Sequence, residues 1–559
     1  PAVPSDLETL LATHPLDDTA LLARARGAIA RLQEAHLTKY SAVMPEAAVP
    51  DPGYVLVIDQ TRGDASVTVS GGNLAAFREM LVFAQAENPG QNVIIKTHPE
   101  TRDGHREGHY GPEDETDRVR LFSDPVSPWT LFQGATAVYT FSSQLGFEAI
   151  FAGHKPRVFG QPFYGGWGLT QDETPLPRRQ RRLTRAQLFA AAMILYPKWY
   201  DPCRDALCGL EDAIDVFEAE TRAWREDHQG WNGSAIRLWK RRPMQKFFGR
   251  HKPMTFGPPK PGDRREMVWA SKADAVHSGM TRVEDGFLRS RGLGAKLVPP
   301  LSLVLDDLGI YYDPTSPSRL EKLITQRAEL RPDQRLRSDR LIRCITTHGL
   351  SKYNLKGDRP PLPDGKRILV PGQVEDDASI KTGTRQISHN SELLRLARTE
   401  NPDAVILYKP HPDVEAGLRP GALPAPCDQA DMVVTRCDTS WLLDQIDEVW
   451  TMTSLLGFEA LLRGCKVVTM GSPFYAGWGL TEDRGDIPAR RGARPDLAGL
   501  VHATLIDYPR YFDPVSGLPC PVEVVAERLE NGTIPSSGVT NRTLSKLQGL
   551  LAGQARLWR

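Results

Sequence analysis

The sequence predicts an α/β protein of tandem modules built from parallel-sheet lobes, the first module lacking its N-terminal lobe. Three observations carry that prediction. A long segment is duplicated about 311 residues apart, short β-branched runs alternate with helical stretches, and residues before Pro314 in the second copy find no partner in the first.

The duplication is plainest in PFYGGWGLT (162–170), which returns as PFYAGWGLT (473–481). Residues 143–172 set against 454–483 agree at 18 of 30 positions without a gap. Upstream, VLVIDQTRGDAS (55–66) lies on ILVPGQVEDDAS (368–379), and IIKTHP (94–99) on LYKPHP (407–412). Downstream, YPKWYDP (196–202) lies on YPRYFDP (508–514). A period this long signals two copies of a whole module, whereas solenoids repeat every 20 to 50 residues or so. Pro1, Pro4, Ser5 and Leu7 align with Pro314, Pro317, Ser318 and Leu320, and the chain starts with Pro. The expectation is therefore a sequence whose first module has lost a lobe.

The strands are expected at VLVI, NVIIK and AVYTF in the first module and at ILVP, AVILYK, EVWTM and KVVTM in the second. Stretches such as SELLRLARTE and LLGFEALLRG supply the helices between them. Fully apolar strands alternating with helices imply a parallel sheet covered on both faces, a Rossmann-like lobe. EMVWA, ADAVHSG and TRVEDGF, followed by the helical region 316–350, predict a second such lobe in the second module, and two facing lobes make a cleft.

Lys plus Arg equals Asp plus Glu at 69 each, so no global field attracts nucleic acid. No run approaches the roughly 18 apolar residues of a spanning helix, and PAVPSDLETL has neither a basic n-region nor an apolar core. The seven cysteines are scattered and odd in number, which predicts reduced thiols in a cytoplasmic protein. Cys203 and Cys208 form a lone pair of thiols with no second ligand pair nearby, so no metal is expected there.

Ligands of open parallel sheets sit beyond the carboxyl ends of the strands, and three duplicated motifs fall there. TMTSLLGFEALL places Thr453 and Ser454 at a helix N-cap suited to phosphate, with Glu459 able to accept from a ribose diol; Ser142, Ser143 and Glu148 repeat it. A capped packing helix with a surface Glu fits the same residues. KPHP brings Lys409 and His411, matched by Lys96 and His98, to a strand end where both can donate to anionic oxygen, and a structural histidine is the alternative. Q-x-x-x-D-x-S gives Gln373, Asp377 and Ser379, with Gln60, Asp64 and Ser66 in the first copy. GQVEDDAS resembles a metal-binding acidic cluster, but QTRGDAS keeps one carboxylate, which suits a nucleophile or base better than a cation site. An Asp that merely caps its loop stays open. In the PFY loops, Gly477 and Gly479 permit close backbone approach while Phe474, Tyr475 and Trp478 offer rings for stacking on a base or sugar, as Gly166, Tyr164 and Trp167 do in the first copy. An aromatic core plug accounts for the loops equally. Glu284, Asp285 and Arg289 in VEDGFLRS face the cleft if EDGF ends a strand, or form a structural ion-pair turn.

Together, VEDGFLRS, PPLSLVLDDLGIYYD, LSKYNL, PGQVEDDASIKTG, YKPHPDV, TMTSLLGFEALL and PFYAGWGLT resemble the KpsC-type capsule polysaccharide β-Kdo transferases over nearly the whole chain. The resemblance implies tandem GT-B-like glycosyltransferase modules, one making 2→4 and the other 2→7 linkages. Each takes Kdo from CMP-β-Kdo with retention to build a poly-Kdo linker on a phosphatidylglycerol-type lipid acceptor of a Gram-negative capsule. It implies Asp377 and Asp64 as nucleophiles of a double displacement. Gln373, Ser379, Lys409, His411, Ser454, Glu459, Tyr475, Gly477 and Trp478 then hold the donor, as do Gln60, Ser66, Lys96, His98, Ser143, Glu148, Tyr164, Gly166 and Trp167. Glu284, Asp285 and Arg289 lie on the acceptor side, and no obligatory metal is implied, since fixed N–H groups and cations can stabilise the departing phosphate.

The implied organisation is a partial first module at 1–228 (a donor-binding lobe), a basic linker at 229–252, an acceptor-side lobe at 253–365, a donor-binding lobe at 366–535 and a tail at 536–559. The expected partners are CMP-Kdo, a lipid-linked Kdo acceptor, the inner-membrane surface and capsule biosynthesis and export proteins, with no nucleic acid. RLWKRRPMQKFFGRHK (237–252) carries seven Lys or Arg with Trp239, Phe247 and Phe248 and no acid, which suits peripheral contact with anionic lipid from the cytoplasmic side. A solvated linker reads the same. Another nucleotide-sugar transferase, and a non-catalytic assembly scaffold, are the alternative functions.

Overall fold

The computed structural model describes residues 3–260, 262–292, 298–415, 417, 419–423 and 428–534. The tail at 536–559 lies outside them. The chain divides into two compact units, 1–201 with 205–225, and 202–204 with 226–559.

The first unit holds a six-stranded sheet in the spatial order Val119–Phe122, Val93–Lys96, Tyr54–Ile58, Ala135–Thr140, Arg157–Val158 and Gln171–Asp172. Every pairing in it is parallel. The run YVLVI is buried at every position, as a strand covered on both faces must be. Helices Asp6–Thr13 and Thr19–Glu34 precede the sheet, the first capped by Ser5, whose Oγ accepts from Glu8 N.

The second unit contains a sheet of the same order: Met432–Val433, Val405–Lys409, Arg367–Pro371, Glu448–Thr451, Lys466–Thr469 and Glu482–Asp483. Its strands are likewise parallel. In both sheets the direction of winding reverses between the strands that start at Tyr54 and Ala135, or at Arg367 and Glu448, which opens a crevice at their carboxyl ends. Helices Arg319–Gln326 and Pro332–Thr347 match the first unit's opening pair, with Ser318 capping as Ser5 does.

A seven-stranded sheet completes the second unit, in the order Thr255–Phe256, Trp231–Ser234, Arg265–Trp269, Thr281–Asp285, Ser302–Asp306, Pro509–Phe512 and Pro519–Cys520. It corrects two expected boundaries. Residues 229–252 are no linker: they supply the strand Trp231–Ser234 and the helix Leu238–Phe248, whose Met244, Phe247 and Phe248 are buried among Trp231, Met267 and Phe512. Two of the rings assigned to lipid contact therefore belong to a core. The lobe expected at 366–535 also ends earlier, because Pro509–Phe512 crosses back to pair antiparallel with Ser302–Asp306. Arg510 anchors that return through a buried ion pair with Asp227 at 2.9 Å.

The repeated PFY loop is a plug. Tyr475 and Trp478 are 0% and 1% exposed, and Tyr164 and Trp167 are fully buried. Trp478 Nε1 donates to Phe474 O at 2.8 Å, and Tyr475 OH donates to Ser454 O at 2.5 Å. Gly477, at φ +91°, turns the loop so that its N–H reaches Asp483, and Arg491 ties Pro473 O and Ala476 O to Glu321. The first unit repeats each link with Trp167, Tyr164, Gly166, Asp172, Arg179 and Glu8. The stacking role expected of Tyr475, Trp478, Tyr164 and Trp167, with Gly477 and Gly166, is therefore withdrawn: they face the interior and brace the start of the helix that follows the fourth strand, whereas Phe474 lines the crevice of the second unit's six-stranded sheet.

Candidate active site

A cavity of about 250 Å³ opens at the crevice of the second unit's six-stranded sheet. Gln373 follows the central strand and reaches the next strand's end, where Thr453 N donates to its Oε1 at 2.9 Å and its Nε2 donates to Thr453 Oγ1 at 3.0 Å. Thr453 Oγ1 contacts Ser379 Oγ at 3.3 Å, and Ser379 donates from both N and Oγ to Asp377 Oδ1, at 3.0 and 2.9 Å. This relay leaves Oδ2 of Asp377 without a partner among the described residues. Asp377 thus caps its own helix, Ala378–Gly383, and also lines the cavity.

Lys409 and His411 stand on the neighbouring strand end. Burial lowers both. His411 Nδ1 accepts from Asp413 N at 3.1 Å, so in the neutral ring Nε2 carries the proton and is the donor. Ser454 caps Leu455–Leu461, its Oγ occupied by Leu456 N, and it lines the cavity with Glu459. One oxygen of Glu459 is engaged: Lys352 N donates to Oε1 at 2.8 Å, while burial raises its carboxyl.

The opposite wall comes from the seven-stranded lobe and the segments next to it, through Phe287, Tyr311, Tyr312, Ser351, Lys352 and Tyr353. The EDGF turn does end a strand, Thr281–Asp285. Arg289, however, is 1% exposed and is paired to Asp285 at 2.9 Å, so these two form the structural ion pair and are not open acceptor groups. Glu284 lies outside the cavity lining, and burial pushes it up to about 7 against the pull of Lys240.

The first unit gathers the same relay. Ser142 N donates to Gln60 Oε1 at 2.8 Å, Ser142 Oγ meets Ser66 Oγ at 2.9 Å, and Ser66 donates from N and Oγ to Asp64 Oδ1, each at 2.7 Å. Burial opposes ionisation of Asp64, but Ser66 and Lys39 outweigh it and hold the carboxyl below its usual range. His98 Nδ1 accepts from Glu100 N at 3.2 Å, as His411 does from Asp413. Lys96 is committed, donating to Asp124 O at 2.7 Å, and burial lowers it to about 8. Ser143 caps the helix Gln144–Phe151, and Glu148 accepts from Thr38 Oγ1 at 2.7 Å while burial raises it to about 7.

Residue-type reasoning missed Ser351, Lys352 and Tyr353. A signal was present: LSKY (350–353) repeats LTKY (37–40) at the 313-residue offset of the other upstream motifs. Among the described residues no three His, Cys, Asp or Glu side chains converge as metal ligands.

A family model described as capsule polysaccharide biosynthesis protein matches residues 4–198, 254–357 and 362–511. The capsule polysaccharide modification protein LipA of Neisseria meningitidis serogroup B is 38% identical over 559 residues, spanning 94% of this chain and 79% of LipA. The lipopolysaccharide-processing protein LpsZ of Rhizobium meliloti is 45% identical over 284 residues, 48% of this chain and 63% of LpsZ. Among solved structures, the β-Kdo 2,4 transferase of Thermosulfurimonas dismutans KpsC is 33% identical, covers 54% of this chain and 97% of its own, and superposes with a TM-score of 0.49. The β-Kdo 2,7 transferase of the same KpsC is 34% identical, covers 54% and 99%, and gives 0.46.

Proposed function

The chain belongs to the capsule polysaccharide biosynthesis protein family, and from that premise we propose that it is a retaining glycosyltransferase taking Kdo from CMP-β-Kdo. The observation that carries the reading is the convergence of Asp377, Ser379, Lys409, His411, Ser454 and Glu459 on one cavity at the sheet's crevice. An unpartnered carboxylate oxygen in the same cavity as two nitrogen donors suits a glycosyl-enzyme mechanism.

In this reading Asp377 Oδ2 attacks the anomeric carbon. The bond from that carbon to the phosphate oxygen breaks, and CMP leaves with the electron pair. Lys409 and the Nε2–H of His411 receive the phosphate charge, so no metal is required. An acceptor hydroxyl oxygen then displaces the carboxylate, and the two inversions restore the β configuration. The hydroxyl proton passes to the departed phosphate or to water, since Glu284 lies outside the cavity lining.

The two units are read as tandem GT-B-type modules, the first contributing a donor lobe, acting on a lipid-linked poly-Kdo acceptor at a membrane surface. No helix among the described residues is long and apolar enough to cross a membrane. Peripheral contact would rest on Arg237, Leu238, Arg242, Lys246 and Arg250, which are exposed, Leu238 at 78%. Export proteins of the capsule pathway remain proposed partners.

The test is a transfer assay of the full chain with a synthetic Kdo-terminated acceptor and CMP-β-Kdo, CMP-sialate or a UDP-sugar as donor. Extension with CMP-β-Kdo alone, and a β linkage by NMR, is expected. Extension from another donor would replace the Kdo assignment, and an α product would remove the double displacement.

A further inference from the structure

Four cationic or cation-forming side chains line the second unit's cavity: Lys352, Lys409, His411 and Arg419. Arg419 is committed to Asp376 at 2.6 Å, and burial lowers both Lys409 and His411. Like that of Lys409, the Lys352 ammonium is engaged by no hydrogen bond or ion pair among the described residues; it lies 5.5 Å from the centre of the Tyr353 ring, and what sets Lys352 apart is its charge and the clamp on its backbone. Burial opposes its charge, but Tyr353, Asp285 and Asp377 outweigh burial and raise its proton affinity.

The backbone beneath this charge is held from two sides. Lys352 N donates to Glu459 Oε1 at 2.8 Å on the six-stranded lobe, and Lys352 O accepts from Arg289 N and Ser290 N at 3.1 and 3.2 Å on the seven-stranded one. Asn354, at φ 49°, closes the segment through Ser351 N and Ser290 O, both at 3.0 Å. A solvated surface lysine needs no such clamp. The first unit repeats the side of it that a Glu holds, with Lys39 N and Thr38 Oγ1 donating to Glu148 and the charge of Lys39 acting on Asp64.

We propose that Lys352 is a donor-binding residue: its ammonium holds an anionic group of the nucleotide sugar next to Asp377, with Glu459 fixing it through the backbone and Lys39 taking the equivalent place in the first unit. This rests on reading the cavity as a donor site. The group is the phosphate or the sugar carboxylate, chemically alike to an ammonium. Glu459 then acts as a positioning residue, not as the ribose ligand expected of it.

The test is calorimetric titration of the full chain and its K352M and K352R variants with CMP-Kdo, CMP and inorganic phosphate. K352M should weaken CMP-Kdo binding about 10- to 100-fold, the worth of one charged hydrogen bond, with K352R recovering part of it and the unfolding midpoint unchanged. Equal loss for CMP assigns the phosphate, and loss confined to CMP-Kdo assigns the carboxylate. If the wild type takes CMP or phosphate but refuses CMP-Kdo, the donor assignment fails while the Lys352 dependence of those anions still decides this inference. Wild-type affinity in K352M for every anion bound, or no binding of any by the wild type, overturns it. Should K352M not fold, acetylation of Lys352 in the wild type, read by mass spectrometry, decides: protection by CMP-Kdo or by CMP supports the assignment, and protection by neither overturns it.

Discussion

The two six-stranded sheets carry one relay, Gln60–Ser142–Ser66–Asp64 in the first unit and Gln373–Thr453–Ser379–Asp377 in the second, yet their surroundings differ. In the second unit the relay lines a cavity whose far wall is Phe287, Tyr311 and Tyr312. In the first, Ser66 and Lys39 are exposed, and Lys96 is bonded to a carbonyl. The relay is thus a property of one parallel lobe, whereas the enclosure comes from elements that have no counterpart among described residues 3–225. Enclosure matters because excluding water strengthens every charge interaction with a bound anion.

The largest expected effect separates the two carboxylates. D377A should lower transfer by the second unit at least about 10³-fold, since the proposed nucleophile has no substitute, while D64A leaves that reaction within about 2-fold. Kinetics with a fixed acceptor read the difference, and equal losses from both would erase the contrast drawn between the units.

The plugs should behave alike. W478A and W167A should each cost about 3–5 kcal/mol of the stability of their own unit, because both indoles are buried and each donates to a backbone carbonyl. Hydrogen exchange resolved by peptide would show deprotection confined to the unit that carries the change.

A pH term sharpens the first unit. Glu148 is 6% exposed, and its carboxyl is raised from the usual range to about 7. The fold binds that proton more tightly than the unfolded chain does, so its contribution is present at acid pH and is lost as pH rises toward about 7. E148Q, which keeps the acceptor for Thr38, should flatten this fall by on the order of 2 kcal/mol between pH 5 and pH 8 in denaturant titrations. A slope identical to wild type would place the titration elsewhere. The smallest effect belongs to Y475F and Y164F, each losing one bond to a helix-start carbonyl, about 1 kcal/mol by the same titration.

Much of this was legible in the residues. Strands such as YVLVI and RILVP announce themselves by apolar runs, and the duplicated Q-x-x-x-D-x-S and K-x-H-P motifs fall at strand ends because an open parallel sheet places loops there. Four things were hidden. Pro509–Phe512 joins a strand some 200 residues upstream in a sheet, a pairing that no local pattern encodes. Phe247 and Phe248 sit in a strongly basic stretch, and only packing shows that one side of that helix is core. Rings in a glycine-rich loop suggest stacking until the hydrogen bonds of Tyr475 and Trp478 show them facing inward. Lys352 escaped because lysine is common, and only its repetition as Lys39 and the clamp on its backbone single it out.

The most direct test of the central claim is peptide mass mapping of the full chain, quenched after mixing with CMP-β-Kdo without acceptor. The account predicts one Kdo covalently attached at Asp377, absent in D377A, with CMP released in step. CMP release at the wild-type rate in D377A, with no adduct on either protein, would contradict it.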